Sequence, residues 1–431
     1  MTIPTQKSSL KQVLSLKGDR TIWAIFFILS AISLIEVYSA ASCLTTKFGI
    51  MSTVLGHLNY LVIGFIFVWI FHNIPCRWFM LWAPAWIVLI VLLILLPIIG
   101  ARINDGARWI PIFGVKFQPS EFAKGALVVI VAIILSTYQT KKGADRHAFK
   151  YILIFTCITC FLIFIENYST AIILFGVVVL MMFYGRVPMR QMGKMFGVLA
   201  LIGITAFGAI KILPMDTITE NVSILHRLDN FVSRIERFTR SDDECIGDTT
   251  NAKVKKWNFD IEKEPQVGHA HIAIAKSNII GCGPGNSRER DFLPQAFSDF
   301  IYAIVIEELG LLGGAGVVLL YIILMFRAGR IANKCERNFP AFLVLGLSML
   351  IVTQALINMS VAVGLAPVTG QPLPLISRGG SSIVVTSMYF GMIISVSRFA
   401  KKRTAKVATG DTPAETSVVN EEEYQKTDGM K

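Results

Sequence analysis

The stretch FLPQAFSDF, residues 292–300, marks the point where a long polar segment gives way to an apolar run of membrane-helix length. Asp299 lies at this boundary. A carboxylate at the mouth of a membrane helix is costly to bury, so it is a functional-site candidate by default. The alternative is that Asp299 caps the helix or lies in its first turn, where an acid satisfies free backbone N–H groups.

The composition places this helix in a polytopic membrane protein. The chain has 431 residues, of which 54% are hydrophobic and only 16% are charged. A soluble domain carries about 25% charged residues. The net charge of +12 does not indicate nucleic-acid binding, because the basic residues fall in short loops between apolar runs, as the positive-inside rule expects. The seven scattered cysteines form neither a disulfide framework nor a zinc-binding pattern.

Runs of about 17–25 apolar residues qualify as membrane spans. The sequence therefore predicts an all-α polytopic protein with about ten spans. They lie at about 21–41, 54–72, 79–99, 121–138, 151–166, 168–184, 196–213, 299–326, 340–362 and 381–398. A tight polar turn at 166–169 separates the fifth span from the sixth.

Lys and Arg residues set the orientation. They concentrate near residue 77 and in segments 141–150, 186–194 and 327–337, and the tail opens with four more. These parts are predicted to be cytoplasmic, together with both termini. The expected divisions are an N-terminal tail (1–20), a transmembrane domain (21–400) and a disordered polar tail (401–431).

Three segments remain outside: 100–120, 214–298 and 363–380. The second is a large extracytoplasmic loop between the seventh and eighth spans. Within it, Arg227 to Arg237 has helical spacing, with Leu228, Phe231, Ile235 and Phe238 on one stripe. This pattern fits an amphipathic helix on the membrane surface or a solvated helix packed on the bundle.

The unusual polar residues gather on the outer side. Glu121 and Lys124 are three residues apart, hence on one face of the fourth span, where they can pair. That pair either serves function or locks helices together. Glu307 lies on the same face of the eighth span as Asp299, and Lys124 is a candidate partner for it.

Two glycine-rich segments add backbone donors. The run from Gly281 to Ser287 could present N–H groups to a phosphate. The Pro- and Gly-rich segment 363–380 cannot form a regular helix, and irregular backbone near the membrane is tolerated where it lines a cavity. Its Arg378, followed by Gly-Gly-Ser-Ser and a helix start, suits an anionic head group. Cations, donors and a carboxylate together suit a lipid-linked phosphate substrate and a transfer that needs a base.

The motifs resemble the SEDS proteins (shape, elongation, division and sporulation), the group that contains FtsW and RodA. The likeness covers about residues 19–400. It is carried by GARWI (106–110), QPSEFAK (118–124), FLPQAFSDFIY (292–302) with EELG (307–310), and PLISRGGSS (374–382). Gly283-Pro284-Gly285-Asn286-Ser287 is more similar to the FtsW branch than to the RodA branch.

This resemblance implies a peptidoglycan glycosyltransferase that polymerises lipid II, an undecaprenyl-pyrophosphate-linked precursor, into septal glycan strands in the inner membrane. It implies a class B penicillin-binding protein and other divisome proteins as partners. It also implies that Asp299 is catalytic and that Glu121–Lys124 is a required salt bridge. The expected substrate-binding or cavity residues are Glu121, Lys124, Arg108, Gln266, Ser287, Glu307, Ser377, Arg378, Gly379, Gly380 and Ser381.

The chain departs from the family pattern at four places. Glu166-Asn167-Tyr168-Ser169-Thr170 stands where Pro-Asp-Leu-Gly-Thr is usual. Phe297 replaces the His before Asp299, Arg378 replaces a Tyr, and His269 replaces the second of two glutamines, of which Gln266 is the first. None of these changes alters Asp299.

The resulting hypothesis makes Asp299 the general base, with Lys124, Arg108 and Arg378 as candidate cations for the departing pyrophosphate. A divalent cation (Mg or Mn) is a further candidate. No ligand set is evident for it, and the pair His269 and His271 is a weak one. The rival functions are a lipid II flippase, a RodA-like elongation polymerase and a non-catalytic divisome scaffold.

Overall fold

The computed structural model describes residues 16–40, 50–99, 101–103, 106–112, 115–141, 143–212, 265–293 and 298–408. Eleven α-helices lie in these ranges. They are α1 (Arg20–Ala40), α2 (Ile50–Asn73), α3 (Trp82–Ile99), α4 (Pro119–Thr137), α5 (Arg146–Glu166), α6 (Tyr168–Tyr184), α7 (Met189–Ile212), α8 (Pro265–Lys276), α9 (Ile301–Ala332), α10 (Asn338–Ala362) and α11 (Ser381–Ala408). Two 3₁₀ turns, Cys76–Leu81 and Glu289–Asp291, precede α3 and α9 respectively.

Eight of the helices are long and apolar enough to cross a membrane: α1, α2, α3 with its 3₁₀ turn, α4, α5, α9, α10 and α11. Helix α6 is apolar but has only 17 residues. Helix α7 occupies the place of the remaining predicted span. The protein is therefore a multi-pass membrane protein, while the count of ten spans and the side on which each terminus lies remain predictions.

Short strands accompany the predicted helices. Strands β1 (Ala101–Ile103), β2 (Gly106–Ile112) and β3 (Val115–Phe117) form an antiparallel sheet in the first outer segment. Strands β4 (Gln139–Thr140) and β5 (Gly143–Ala144) pair between α4 and α5. These segments are too short to be spans, and strand pairing satisfies backbone groups that no helix satisfies. The fold is nearly all-helical rather than wholly so.

The polar turn between the fifth and sixth predicted spans is present. Helix α5 ends at Glu166 and α6 begins at Tyr168. The side-chain oxygen of Asn167 accepts a hydrogen bond from the Thr170 amide at 3.2 Å, which caps α6. One residue is thus enough to separate two helices that are nearly continuous in sequence.

Helices α4, α10 and α11 form the buried centre of the bundle, whereas α2 and α3 expose most of their apolar surface. A glycine allows close contact between α4 and α11. A Cβ atom at Gly125 would lie 2.5 Å from the ring of Tyr389, which is itself buried. The α4–α11 contact therefore tolerates no side chain at residue 125 without displacement of Tyr389.

The ends of the membrane domain differ slightly from the predicted divisions. Helix α1 begins at Arg20, and the carboxylate of Asp19 accepts a hydrogen bond from the Thr21 amide at 2.9 Å and pairs with Arg327 of α9. Helix α11 continues to Ala408, eight residues into the tail predicted to be disordered. The run of Lys, Arg and Ala there extends the helix, because these residues have high helix propensity.

The large loop carries one described helix, α8, which lies after the stretch predicted to be amphipathic. The segment from Arg227 to Arg237 lies outside the described residues, as does the tail beyond residue 408. Their predicted structures stay predictions.

Candidate active site

Segment 363–380 joins α10 to α11 without forming a helix. Side chains from three helices satisfy its carbonyl groups. Gln354 of α10 donates to the Pro372 oxygen at 3.1 Å, Tyr321 of α9 to the Pro374 oxygen at 2.5 Å, and Ser33 of α1 to the Ile376 oxygen at 2.7 Å. Irregular backbone persists at membrane depth only where the protein satisfies it in this way. The segment is therefore fixed from several sides, and it can hold a site.

Asp299 lies in a turn ahead of α9. The helix begins at Ile301, with Phe300 in the cap position and no acidic residue in its first turn. Asp299 therefore lies one residue before the cap position and outside the first turn of α9. The side chain is half-buried, and the hydroxyl of Ser298 donates to its Oδ1 atom at 2.8 Å.

Two side chains hold the backbone of this turn. The amide of Asn358 donates to the Asp299 carbonyl at 2.8 Å and to the Gln371 carbonyl at 2.7 Å. The hydroxyl of Ser377 lies 2.6 Å from the Ser298 carbonyl, to which it donates. The carboxylate turn is therefore attached to both α10 and segment 363–380, and its position depends on tertiary contacts.

The ion pair predicted from spacing is present. The Lys124 Nζ atom lies 2.8 Å from Glu121 Oε1, and both residues are buried at the start of α4. Lys124 also donates to the Gln354 side chain at 3.3 Å. Because Gln354 and Asn358 are one turn apart on α10, this helix connects the ion pair with the Asp299 turn. The Glu121–Lys124 pair is thus built into the same polar network as Asp299.

Arg378 lies one residue after Ser377, at the edge of the network. Arg378, Gly379 and Gly380 are half-buried, and the buried residue Ser381 begins α11. Burial lowers the pKa of the Arg378 guanidinium, while the nearby Tyr60 opposes that change. An anion beside Arg378 would favour its charged form further.

Glu307 belongs to a different cluster. Its carboxylate accepts hydrogen bonds from the Ser287 hydroxyl at 2.5 Å and from the Arg288 amide at 3.0 Å. Lys124, considered as its partner from the sequence, pairs with Glu121 instead. The neighbouring Glu308 accepts from Ser39 of α1. Ser287 and Glu307, both predicted to line a cavity, are buried and bonded to each other.

A backbone crossing beside this cluster breaks α9. Gly310 has φ 74° and ψ −178° inside the helix, and segment 278–283 inserts at the break. The amides of Cys282 and Gly283 donate to the carbonyls of Glu307 and Glu308 at 3.0 and 2.9 Å. The inserted segment thus replaces the helical hydrogen bonds that are lost at Gly310, and it fixes the loop that carries Ser287.

Helix α8 docks onto the same loop through a charged triad. Glu289 is buried, and its carboxylate lies 2.8 Å from His269 Nδ1 and 2.5 Å from Lys276 Nζ. Burial alone would raise the pKa of Glu289, but the hydrogen bonds from Lys276 and His269 outweigh it and lower that pKa below its usual value. Gln266 also lies on α8 and is half-buried.

Some predicted site residues are described only in part. Arg108 lies on β2, but its side chain is outside the described residues, as are Pro294 to Phe297. Within the described ranges, no group of three or more His, Cys, Asp and Glu residues is arranged to hold a metal ion. His269 is instead bonded to Glu289.

Two residues that were not predicted to belong to the site, Gln354 and Gln371, connect its parts. Gln354 joins Lys124 to segment 363–380, and the side chain of Gln371 donates to Thr170 of α6 at 2.7 Å. The available signal was the pair of amides, Gln354 and Asn358, spaced by four residues in an otherwise apolar helix. Such a pair is costly in lipid and indicates an inward polar face.

The profile of a cell cycle protein family named for FtsW, RodA and SpoVE matches residues 19–402 of this chain. Among curated proteins, a probable peptidoglycan glycosyltransferase FtsW of Haemophilus influenzae is 29% identical over 391 residues, which are 88% of this chain and 90% of that protein. The stage V sporulation protein E of Bacillus subtilis is 29% identical over 392 residues, 89% of this chain and 98% of that protein.

Solved structures share the fold. A chain from a peptidoglycan synthase complex, solved in a study of how polymerization and crosslinking are coordinated, superposes with a TM-score of 0.68 at 21% identity, over 89% of this chain and 98% of that chain. The rod shape determining protein RodA of Thermus thermophilus gives a TM-score of 0.58 at 19% identity, over 88% of this chain and 97% of that chain.

Proposed function

This chain belongs to the FtsW/RodA/SpoVE family of cell cycle proteins, and from that premise we propose that it is a peptidoglycan glycosyltransferase that polymerises lipid II into glycan strands during septal wall synthesis. The names of its curated relatives support this activity. The FtsW names among them favour the division role over elongation.

The position of Asp299 is the main support for the proposed chemistry. Asp299 is a half-buried carboxylate in a turn ahead of α9, outside the helix and its cap position. Hydrogen bonds from Asn358 and Ser377 hold the backbone on both sides of its Cα atom. A side chain held in this way satisfies the main requirement of a general base, which is a fixed position relative to the proton that it removes.

In the proposed reaction, Asp299 takes the proton of the acceptor sugar's 4-hydroxyl. The oxygen of that hydroxyl forms a bond to the anomeric carbon of the donor. The bond from this carbon to the undecaprenyl diphosphate breaks, and its electron pair leaves with the diphosphate. The leaving group is already a weak base, so it needs positive charge nearby more than it needs a proton.

Of the two candidate cations whose side chains are described, Lys124 and Arg378, burial favours Arg378 for that role. Lys124 is buried, and it is already bonded to Glu121 and Gln354, so it fits the support of the site better than contact with a phosphate. Arg378 is half-buried, and it follows Ser377, which bonds to the Asp299 turn. We assign Lys124 to positioning and Arg378 to charge compensation.

Membership of the family also implies a location and partners for this protein. The protein would act in the bacterial inner membrane at the division septum, with a class B penicillin-binding protein that crosslinks its product. Support for such a partner is that a similar fold occurs in a peptidoglycan synthase complex. Other divisome proteins would complete the assembly.

The test is polymerisation of lipid II by the purified full-length protein with its penicillin-binding partner. Asp299→Asn should reduce the rate by about 10²–10⁴-fold, the usual contribution of a positioned general base. The matched control is Asp145→Asn, which changes a half-buried acid at the N-cap of α5 and keeps that cap, because Asn caps helices as well as Asp does.

Full polymerisation by the Asp299→Asn protein would refute the assignment. Lipid II movement across vesicles without any glycan product would support the flippase instead. Glycan synthesis that requires this protein but proceeds at the same rate with Asp299→Asn would support the role of a non-catalytic scaffold.

A further inference from the structure

The start of α11, next to Arg378, lies close to helix α2. His57 and Tyr60 lie three residues apart and therefore on one face of this helix. A Cβ atom at Gly380 would lie 3.7 Å from the Tyr60 ring and 3.9 Å from its hydroxyl oxygen. Both His57 and Tyr60 interact electrostatically with Arg378. Arg378 thus lies in a small space between α2 and the start of α11.

His57 fixes the backbone that leads to Arg378. The Ser33 hydroxyl lies 2.7 Å from the Ile376 carbonyl oxygen and 2.8 Å from His57 Nε2. Ser33 has one proton and the carbonyl can only accept, so that proton goes to Ile376 and His57 Nε2 must donate to Ser33. Because both bonds are buried, His57 acts as a positioning residue for the turn two residues before Arg378.

Ser381 supplies an independent sign of a ligand. Its side chain is only 4% exposed, and its hydroxyl oxygen has no hydrogen-bond partner among the described residues. Buried polar groups nearly always have a partner. A hydroxyl left without one at the first residue of α11 indicates a group that occupies this place when the protein works.

The remaining features favour an anion there. Helix α11 has 28 residues, and its N-terminus carries the positive end of the helix dipole. The first N–H groups of a helix have no partner within it, and that of Ser382 donates to the Gly379 carbonyl at 2.7 Å. Gly379 and Gly380 put no side chain over this end, and Gly380 has φ 42°, a conformation that favours glycine. The Arg378 guanidinium adds a planar fork of donors that matches phosphate oxygens.

From these contacts we infer that Arg378, Ser381, Tyr60 and the N-terminus of α11 form a subsite for the diphosphate group of an isoprenoid-linked lipid. The inference rests on the proposed function and deepens it. The hydrogen bond from Ser377 to the Ser298 carbonyl joins the residue before Arg378 to the residue before Asp299. A donor whose diphosphate lies at Arg378 would present its anomeric carbon towards Asp299.

The test is equilibrium binding of undecaprenyl diphosphate to the purified full-length protein in detergent micelles. Arg378→Gln should weaken binding at least tenfold, and Arg378→Lys should fall between it and the unchanged protein, since Lys keeps the charge but loses the bidentate fork. Ser381→Ala and Tyr60→Phe should each weaken binding by about threefold to tenfold, the usual value of one hydrogen bond. Arg288→Gln, at an exposed arginine of the large loop, is the matched control and should bind normally.

The arms of this experiment separate the two proposals. Asp299→Asn should keep normal binding of undecaprenyl diphosphate while it loses polymerisation. Normal binding by Arg378→Gln would overturn the subsite and the charge-compensating role of Arg378, and it would leave the polymerase activity and the role of Asp299 intact. If Arg378→Gln does not fold, Ser381→Ala and Tyr60→Phe decide, and normal binding by both overturns the subsite.

Phosphatidylglycerol tests whether another lipid with a phosphate group competes with undecaprenyl diphosphate for the subsite. Excess phosphatidylglycerol should leave undecaprenyl diphosphate bound. Displacement at comparable concentrations would mean that the subsite is a general head-group contact, and it would overturn the assignment to a diphosphate.

Discussion

The side-chain amide of Asn358 donates a hydrogen bond of 2.8 Å to the main-chain carbonyl of Asp299. The same amide reaches the Gln371 carbonyl at 2.7 Å, so one buried side chain joins the turn before α9 to the segment before α11. The position of the proposed base therefore depends on a residue that lies 59 positions further along the chain.

Replacement of Asn358 tests whether this attachment matters for catalysis. Asn358→Leu removes both hydrogen bonds at similar volume and leaves two carbonyls without their donor. We expect kcat for glycan polymerisation to fall by about 10²-fold, because small displacements of a catalytic group have costs of this size, with a smaller change in KM. Asn338→Leu, at an exposed position on the same helix, should leave kcat unchanged. Equal loss in both variants would contradict the positioning role.

The Glu121–Lys124 pair separates a structural role from a functional one. Lys124→Met leaves the buried Glu121 carboxylate without its cation, which should destabilise the protein by about 3–5 kcal/mol. The double variant Glu121→Gln, Lys124→Met removes both charges, and we expect it to recover most of the thermal stability in detergent. If it also recovers full polymerisation, the pair only locks helices together. Stability without activity would show that the pair serves the reaction.

Segment 278–283 crosses α9 with Gly281 packed against Gly310, and we expect that neither glycine can be replaced by alanine without loss of stability. A Cβ atom at Gly310 would lie 2.3 Å from the Ile279 carbonyl oxygen, and one at Gly281 would lie 2.3 Å from that of Glu308. Both glycines also have positive φ, which costs other residues roughly 1–2 kcal/mol. Gly310→Ala and Gly281→Ala should each lower the yield of folded protein and its melting temperature.

Gly316→Ala is the control for this crossing. Gly316 lies in the same helix, and a Cβ atom there would meet nothing within 4 Å. Alanine should raise stability slightly, since it exceeds glycine in helix propensity by about 1 kcal/mol. A normal melting temperature for Gly310→Ala would contradict the crossing.

The triad of His269, Lys276 and Glu289 predicts a pH-dependent attachment of α8. The pKa of Glu289 is lowered in the folded protein, so its contribution to stability is present above the unfolded pKa of about 4.3 and is lost as the pH falls through the lower folded value. Hydrogen exchange of the α8 amides, corrected for the intrinsic rate, should therefore rise in acid. Glu289→Gln should show fast exchange already at neutral pH, and a variant with unchanged exchange would refute the attachment.

Much of this architecture follows from local sequence. Apolar runs of membrane length predicted all of the long helices to within a few residues at most ends, because a span needs a fixed length of apolar chain whatever it packs against. The spacing of Glu121 and Lys124 predicted their ion pair for a similar reason, since residues three apart on a helix are neighbours. The short strands were missed because pairing across a tight loop leaves a weak pattern in a strongly apolar chain.

The sequence by itself determined the class of the protein, the helices and the family, because hydropathy and motif spacing are local properties. The tertiary structure decided which polar groups meet. It paired Glu307 with Ser287 rather than with Lys124, placed Asp299 ahead of the helix cap, and attached its turn to Asn358 and Ser377. The physical reason is that a buried polar group must find a partner wherever the packing provides one, and that partner is usually remote in the chain.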